Sequence, residues 1–357
     1  MSSSTNTKET PKMQYVRFGN TGLKVSRICL GCMSYGSSKW SPWVKDEAES
    51  IEAIKVAYNA GINFFDTANT YSNGQSEIVL GKALRELNAP RGRVVIATKV
   101  YAPVYPKVEQ YGIRDMDQNP ELINGYGLSR KHIFDAVDAS LKRLGVEYID
   151  LYQIHRLDTE TPMEEIMEAL NDLVRSGKVR YIGSSGMCAW QFQKLNSIAE
   201  RRGWTTFVSM QNLYNLLYRE EEREMIPYCI DAGIAGIPYS PLATGQITGK
   251  KRDTARSKTN FQMTTLIPGA KQDSNEIIID RVEELAKKYG ASNAQIALAW
   301  HYTKPYVVSP IVGVSKVEQL YDLIGAMDIK LTKEDADYLE EPYTPRPVSL
   351  LAQFNQK

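Results

Sequence analysis

The segment Phe65-Asp66-Thr67-Ala68-Asn69-Thr70-Tyr71-Ser72 places a carboxylate and a phenol five residues apart just after an apolar run, and two later apolar runs close on Lys99 and His155. A phenol is a weak acid, with an ordinary pKa of about 10, and becomes a useful proton donor only where a cation stabilises the phenolate. Lys99 is the candidate cation, Asp66 the carboxylate that would anchor it, and His155 a second group to polarise a substrate oxygen. Together they are the parts of a general-acid site for carbonyl chemistry. Taken singly, each has a plain structural reading: Asp66 as a turn cap, Tyr71 and Lys99 as surface residues, His155 as a satisfied core imidazole. Their joint position at the carboxyl ends of strands favours chemistry, because barrel enzymes gather catalytic groups at that rim.

Such placement needs a scaffold of alternating strands and helices. A hairpin over Tyr15-Val16-Arg17-Phe18 and Gly22 to Val25 precedes a first core strand at 27–31. Helices are expected over 47–60, 76–87, 129–144, 163–176, 189–202, 220–232, 275–289, 292–303 and 316–327. Further strands are expected over 62–66, 94–99, 148–154, 179–184, 207–211, 234–239 and 307–312. Eight parallel strands in this alternation close into an α/β fold, a (β/α)8 TIM barrel, with an N-terminal β-hairpin and long loops at the C-terminal face. A doubly wound sheet would carry G-x-G-x-x-G after its first strand, which Leu30-Gly31-Cys32-Met33-Ser34-Tyr35-Gly36 does not supply. A single domain is expected over 14–343, after a disordered segment at 1–13 and before a C-terminal tail at 344–357.

Three more strand ends carry polar groups: Ile182-Gly183-Ser184-Ser185-Gly186, Gln211-Asn212 and Tyr239-Ser240-Pro241-Leu242-Ala243. Their hydroxyls, amide and ring suit a carboxamide and a stacked heterocycle, with turn formation and packing as the other reading. The last strand runs into Gly313-Val314-Ser315-Lys316-Val317-Glu318-Gln319, where backbone N–H groups, a hydroxyl and an ammonium would converge on an anion at a helix start. Ser315 is also the expected N-cap, boxed with Glu318. Loop 101–128, with Tyr101, Tyr105, Tyr111 and Tyr126, should overhang the barrel mouth, and Trp40, Trp43 and Trp190 lie in neighbouring loops. Trp40, Trp43, Tyr101 and Trp190 are the expected substrate-binding aromatics of an apolar funnel, or else a packed loop core. Residues 244–274 form the other long insertion.

Composition narrows the partners. Among 357 residues, 43 basic side chains face 42 acidic ones, which argues against a nucleic-acid-binding surface. No run approaches the ~20 apolar residues that span a bilayer, so a cytoplasmic protein without membrane insertion is expected. Cys29 and Cys32 have C-x-x-C spacing but no second ligand pair, and no metal site is expected.

Over about 14–343 the chain resembles the aldo-keto reductase superfamily. The matching pieces are Gly22-Leu23-Lys24-Val25-Ser26, Phe65-Asp66-Thr67-Ala68 with Tyr71, Thr98-Lys99, Ile154-His155, Gly177-Lys178-Val179-Arg180-Tyr181-Ile182-Gly183, Tyr239-Ser240-Pro241-Leu242 and Gly313-Val314-Ser315-Lys316. Gly31-Cys32-Met33-Ser34-Tyr35-Gly36 and Asn69-Thr70-Tyr71-Ser72 make it look like the fungal branch of versiconal hemiacetal acetate reductase and the aryl-alcohol dehydrogenases. The resemblance implies an oxidoreductase that binds extended NADPH/NADP+ without a Rossmann domain and reduces a small-molecule aldehyde or ketone, aryl or other apolar carbonyls favoured. It makes Asp66, Tyr71, Lys99 and His155 the catalytic tetrad. Carried over by motif, Gly31, Asp66, Ser185, Gln211, Tyr239, Ser240, Leu242, Gly313, Ser315, Lys316 and Gln319 line the cofactor. Among them Ser185 and Gln211 hold the nicotinamide carboxamide, Tyr239 stacks on the ring, and Ser315 and Lys316 take the 2′-phosphate with Gln319 nearby. Two positions depart from the family's pattern: Gly186 stands in place of the Asn of a Ser-Asn pair, and Leu323 in place of an Asn whose adenine hydrogen bond is worth about 1 kcal/mol. Two other functional readings stay open, a cofactor-binding regulatory subunit acting through a protein partner and a Schiff-base enzyme on Lys99. The oligomeric state is left open.

Overall fold

Short apolar strands, each followed by a helix, curl into one closed sheet. The structure is a computed structural model whose described residues are 12–110, 119–249 and 273–349. A hairpin of β1 (Tyr15–Arg17) and β2 (Lys24–Ser26) comes first. The barrel strands are β3 (Cys29–Gly31), β4 (Phe64–Asp66), β5 (Val95–Val100), β6 (Ile149–Ile154), β7 (Val179–Ser185), β8 (Phe207–Gln211), β9 (Ala235–Gly236) and β10 (Ile311–Val312). They pair in parallel in the order β10-β3-β4-β5-β6-β7-β8-β9, and parallel bridges from Gly236 to Val307 and from Tyr239 to Ile311 join the ends. This is the expected TIM barrel with its N-terminal hairpin.

The surrounding helices are α1 (Glu47–Asn59), α2 (Gln75–Glu86), α3 (Arg130–Leu144), α4 (Met163–Arg175), α5 (Ala189–Arg202), α6 (Met225–Asp231), α7 (Asp273–Tyr289), α8 (Asn293–Tyr302), α9 (Val317–Gly325) and α10 (Lys333–Glu340). Their ends follow local chemistry. Ser129 caps α3 by accepting from His132 N at 3.2 Å, and Ser292 caps α8 by accepting from Gln295 N at 3.1 Å. Thr332 does the same for α10, a helix the periodicity did not mark.

Three expected elements are corrected, and proline accounts for each. The single helix over 220–232 is a 3-10 turn at Glu220–Glu222 followed by α6, because Pro227 has no N–H for a helix begun at 220. The strand at 234–239 keeps regular pairing only at β9, since Pro238 cannot donate; its neighbours Ile237 and Tyr239 still bond β8 and the residue after it, to Met210 O and Asn212 O, both at 3.0 Å. The strand at 307–312 shortens to β10 for the same reason at Pro310.

Alternation along the strands separates two apolar regions. Residues such as Ile28, Leu30, Phe65, Ile96 and Tyr152 pack outward against the helices in the main core. Cys29, Phe64, Val95, Ala97, Leu151, Ala235, Ile237 and Ile311 fill the barrel interior, together with Phe18 and Val25 of the hairpin. The Phe18 and Phe64 rings meet edge-on at 5.6 Å, so the hairpin plugs the amino-terminal end of the barrel. At the other terminus residues 344–349 lie against the 218–220 turn, with Arg346 N donating to Glu220 Oε1 at 2.8 Å and Ser349 N to Tyr218 OH at 2.9 Å. Residues 1–11, the stretch 111–118 with Tyr111, most of the 244–274 insertion (250–272) and 350–357 lie outside the described residues.

Candidate active site

One pleat step above the apolar interior, the same strand faces turn polar. Asp66 follows Phe64 on β4, Lys99 follows Ala97 on β5, Gln153 follows Leu151 on β6, and all three polar residues are buried. Asp66 Oδ1 accepts from Lys99 Nζ at 2.5 Å, and its Oδ2 accepts from Gln153 Nε2 and Gln211 Nε2, each at 2.9 Å. The Lys99 ammonium spends its other two protons on Thr67 O at 2.9 Å and Tyr71 OH at 3.3 Å. Burial pushes this amine down, but Asp66 and Tyr71 outweigh it and the net shift is upward, so Lys99 is a held cation. Room for Gln153 comes from Gly183 on β7, where a Cβ would stand 3.2 Å from Gln153 Cγ and 2.4 Å from Ser209 Oγ.

Tyr71 sits in a 3-10 turn after β4 that passes through two left-handed residues, Ser72 and Asn73, both at φ 49°. Asn73 pins the following loop, accepting from Tyr105 N at 3.2 Å and donating to the carbonyls of Lys107, Val108 and Gln110 at 2.8–3.1 Å. Lys99 acts on the phenol in the expected direction, but it does not set the net shift. Lys99 does pull it down, but burial is larger and the net shift is upward, which keeps Tyr71 protonated at neutral pH. His155 directly follows β6, and its ring meets that of Tyr71 edge-on at 5.7 Å. Burial, the Arg156 guanidinium and Lys99 hold its imidazole well below the ordinary histidine value, so it is neutral. The arrangement is a protonated phenol and a neutral imidazole side by side, with a cation behind the phenol.

The residues carried over for a dinucleotide fall in two groups. Ser185 and Gln211 are register partners on β7 and β8, and Ser185 Oγ donates to Gln211 O at 2.8 Å. The Gln211 amide nitrogen is turned inward onto Asp66 and onto Gln153 Oε1 at 3.1 Å, which leaves its oxygen as the group free to meet a carboxamide. Tyr239 is half-buried above β9, with its hydroxyl pushed up to about 12 by burial. Ser240 adopts φ 53° and accepts from Asn215 Nδ2 at 3.0 Å, while Leu242 packs on the core. Gly31 lies beside Asp66 in the sheet, and a Cβ there would come within 2.8 Å of Ile311 Cγ2.

The second group is exposed at the start of α9. Three donors, Ser315 N, Ser315 Oγ and Lys316 N, converge on one acceptor, Gln319 Oε1, at 2.9, 3.0 and 3.1 Å. The cap of α9 is therefore Lys316 with Gln319, one residue later than the expected Ser315–Glu318 box, because the helix opens at Val317. Those donors gather around an oxygen as they would around a phosphate oxygen, with Gly313 and the Lys316 side chain exposed beside them, and so the set fits an anionic cofactor end. Leu323 is buried in the core and offers no polar atom to an adenine.

The four expected substrate aromatics differ in exposure. Trp40 and Trp43 are half-buried and pack on each other with centroids 6.0 Å apart. Trp190, at the start of α5, is 59% exposed. Tyr101 is half-buried close to Arg156 and Asp158. Gln153, Asn73 and Arg156 escaped the sequence reading. Gln153 was legible in principle, since it shares the two-residue alternation with Leu151 and His155.

The aldo/keto reductase family pattern matches residues 27–343. Versiconal hemiacetal acetate reductase of Aspergillus parasiticus is 50% identical over 349 residues, covering 94% of this chain and 98% of that protein. A Schizosaccharomyces pombe protein whose name assigns it provisionally to the aryl-alcohol dehydrogenases is 51% identical over 346 residues, covering 94% and 97%. An aldo-keto reductase of Fusarium vanettenii is 44% identical over 346 residues, covering 94% and 93%.

Proposed function

The chain belongs to the aldo/keto reductase family of oxidoreductases, and from that premise we propose that it is an NADPH-dependent reductase of aldehydes and ketones in which Tyr71 gives its phenolic proton to the carbonyl oxygen. The observation that carries the reading is the buried Asp66–Lys99–Tyr71 chain with His155 edge-on to the phenol. When bound, the cofactor would supply a hydride for the carbonyl carbon, and Tyr71 would supply the proton that completes the alcohol. Ser185, Tyr239 and the remaining acceptor of Gln211 would flank its nicotinamide end, and Ser315 and Lys316 would take its 2′-phosphate. Neutral His155 donates an N–H to the same carbonyl oxygen and fixes its direction. Once Tyr71 has given up its proton, Lys99 at 3.3 Å stabilises the phenolate, and Asp66 keeps Lys99 in place. A Schiff base on Lys99 is disfavoured, because that chemistry needs a neutral amine with a free lone pair and this ammonium has all three protons engaged. Aryl carbonyls suit a mouth that holds Tyr101 and Tyr239, and aryl-alcohol names recur among the relatives.

The test is a screen of NADPH consumption with substituted benzaldehydes, aliphatic aldehydes and sugars, on the wild type and on Tyr71→Phe. Benzaldehydes should exceed glyceraldehyde or xylose in kcat/KM by at least about tenfold, since buried sugar hydroxyls without partners cost about 1–3 kcal/mol each. Tyr71→Phe keeps the ring and should lose ~10²–10⁴-fold in kcat with NADPH affinity retained. A mutant that keeps more than about a tenth of wild-type kcat removes the proton-donor assignment.

A further inference from the structure

We propose that Arg156 selects the substrate, pairing with a carboxylate carried by an aromatic aldehyde or ketone. The inference rests on the reductase reading and deepens it. Arg156 follows His155 at the end of β6, and its guanidinium folds back across the mouth: Nη1 donates to His155 O at 2.5 Å and to Ser185 Oγ at 3.3 Å. It lies flat over Gly186, where a Cβ would stand 2.5 Å from Nη1, 2.9 Å from Cζ and 3.1 Å from Cδ. Gly186 is also left-handed, at φ 55°. Any side chain there would displace the guanidinium, so the missing amide of the Ser185-Gly186 pair is the space Arg156 occupies.

Its charge is placed among the reacting groups. It draws Tyr71, Tyr101 and Tyr239 toward lower pKa against the burial that dominates them, and adds to the burial that holds His155 low. Yet no carboxylate of the described residues lies within ion-pair distance of it. Three other half-buried arginines show the contrast, Arg91 meeting Asp150 at 2.6 Å, Arg143 meeting Glu77 at 2.6 Å, and Arg219 meeting Glu222 and Glu340 at 2.6 and 2.7 Å, whereas Arg27 stacks on Tyr302. The nearest acid in sequence, Asp158, is spent on Leu128 N, Glu160 N and the Thr161 hydroxyl. A partly desolvated guanidinium has five donors in a planar fork, and both protein oxygens it meets are held by Nη1, so Nη2 and Nε have no protein partner among the described residues. A carboxylate is the group whose two oxygens match that fork. The half-buried rings of Tyr101 and Tyr239, both near enough to feel its charge, fit the aromatic body that would carry it.

The experiment compares kcat/KM for 2-, 3- and 4-carboxybenzaldehyde with that for their methyl esters, using wild type, Arg156→Met and Arg156→Lys. In parallel, benzoate binding to the NADP+-loaded protein and NADPH binding are measured by calorimetry and fluorescence. One acid isomer should exceed its ester by at least about tenfold in the wild type, as a charge-assisted pair allows. Arg156→Met should bring that ratio to about one and abolish benzoate binding, and Arg156→Lys should recover part of both. Equal kcat/KM for acid and ester in the wild type overturns the proposal. So does an Arg156→Met protein that loses acid and ester activity in the same proportion while NADPH weakens, which would make Arg156 a cofactor ligand. If the wild type reduces no aldehyde, the reductase reading fails; Arg156-dependent benzoate binding would still support the anion site, and its absence would end it.

Discussion

The two ends of the barrel interior are built on the same strands and differ by one pleat step. At the amino-terminal end Phe64, Ala97 and Leu151 pack with Phe18 of the hairpin, a layer with no polar side-chain atom to satisfy. Two residues further along each strand stand Asp66, Lys99 and Gln153, equally buried but held by hydrogen bonds and an ion pair. The lower layer gains stability from apolar burial. The upper layer takes charges out of water, which returns little net stability, and on the proposed reading keeps them because their geometry holds a proton donor. Chemistry and stability are thus divided by height in the barrel.

Phe64→Ala should separate the two layers most sharply. It empties the contact with Phe18 at 5.6 Å and should destabilise the protein by about 3–5 kcal/mol in urea or thermal unfolding. The kcat of the folded fraction should stay within about twofold, because sites without shared partners act independently. A tenfold fall in kcat at full folding would mean the layers are coupled.

Lys316→Ala tests the rim above the polar layer. The ammonium stands exposed beside the three donors at the start of α9, so its loss should weaken NADPH by about one to two orders of magnitude, the ~1.5–3 kcal/mol of a charge-assisted contact, and leave NADH nearly untouched. Fluorescence titration with both cofactors measures it; equal losses would remove the 2′-phosphate assignment. Unfolding free energy should hardly change.

Glu221→Gln gives the smallest effect and asks whether the upper end contains a carboxylate that destabilises the fold. Burial, against a hydrogen bond from Asn212 and with Glu220 adding to it, pushes Glu221 up to about 7. Tyr218, Cys229, Tyr239 and Tyr306 also feel its charge. A carboxyl whose folded pKa exceeds its unfolded value binds its proton more tightly when folded. Its contribution is complete below the unfolded value of about 4.5 and is lost as pH rises through about 7. Wild-type stability should therefore fall by about 1–3 kcal/mol over that window, and the fall should shrink in Glu221→Gln. Parallel curves for the two proteins would show that Glu221 is ionised with little penalty.

The barrel and the cluster of Asp66, Lys99, Tyr71 and His155 were legible because both are written in short-range pattern. Apolar runs ending in Asp66, Lys99 and His155 mark strands and their carboxyl ends together, and the intervening helices force a parallel sheet. Ser129 and Ser292 mark helix starts for an equally local reason. Where local signals competed, they misled. The hydrophobicity of 307–312 read as strand although Pro310 interrupts it, and Ser315 read as a cap although the helix opens one residue later. The aromatic loops carry no periodicity, so nothing in them announced that Trp40 and Trp43 pair with each other while Trp190 faces solvent.

By itself the sequence determined which side chains stand at the carboxyl ends of the strands, since alternation and strand length are set within a few residues. It did not determine what each side chain meets there. Gln211 turns inward to Asp66 from 145 residues away, Gln153 fits because Gly183 on the next strand has no side chain, and Arg156 occupies the space above Gly186. The sign of the Tyr71 shift also waited on closure of the barrel, because burial and the Lys99 charge oppose each other and only three-dimensional packing decides which is larger. Partners brought together by closing a sheet are separated by whole βα units in the chain, and no local rule of spacing encodes them.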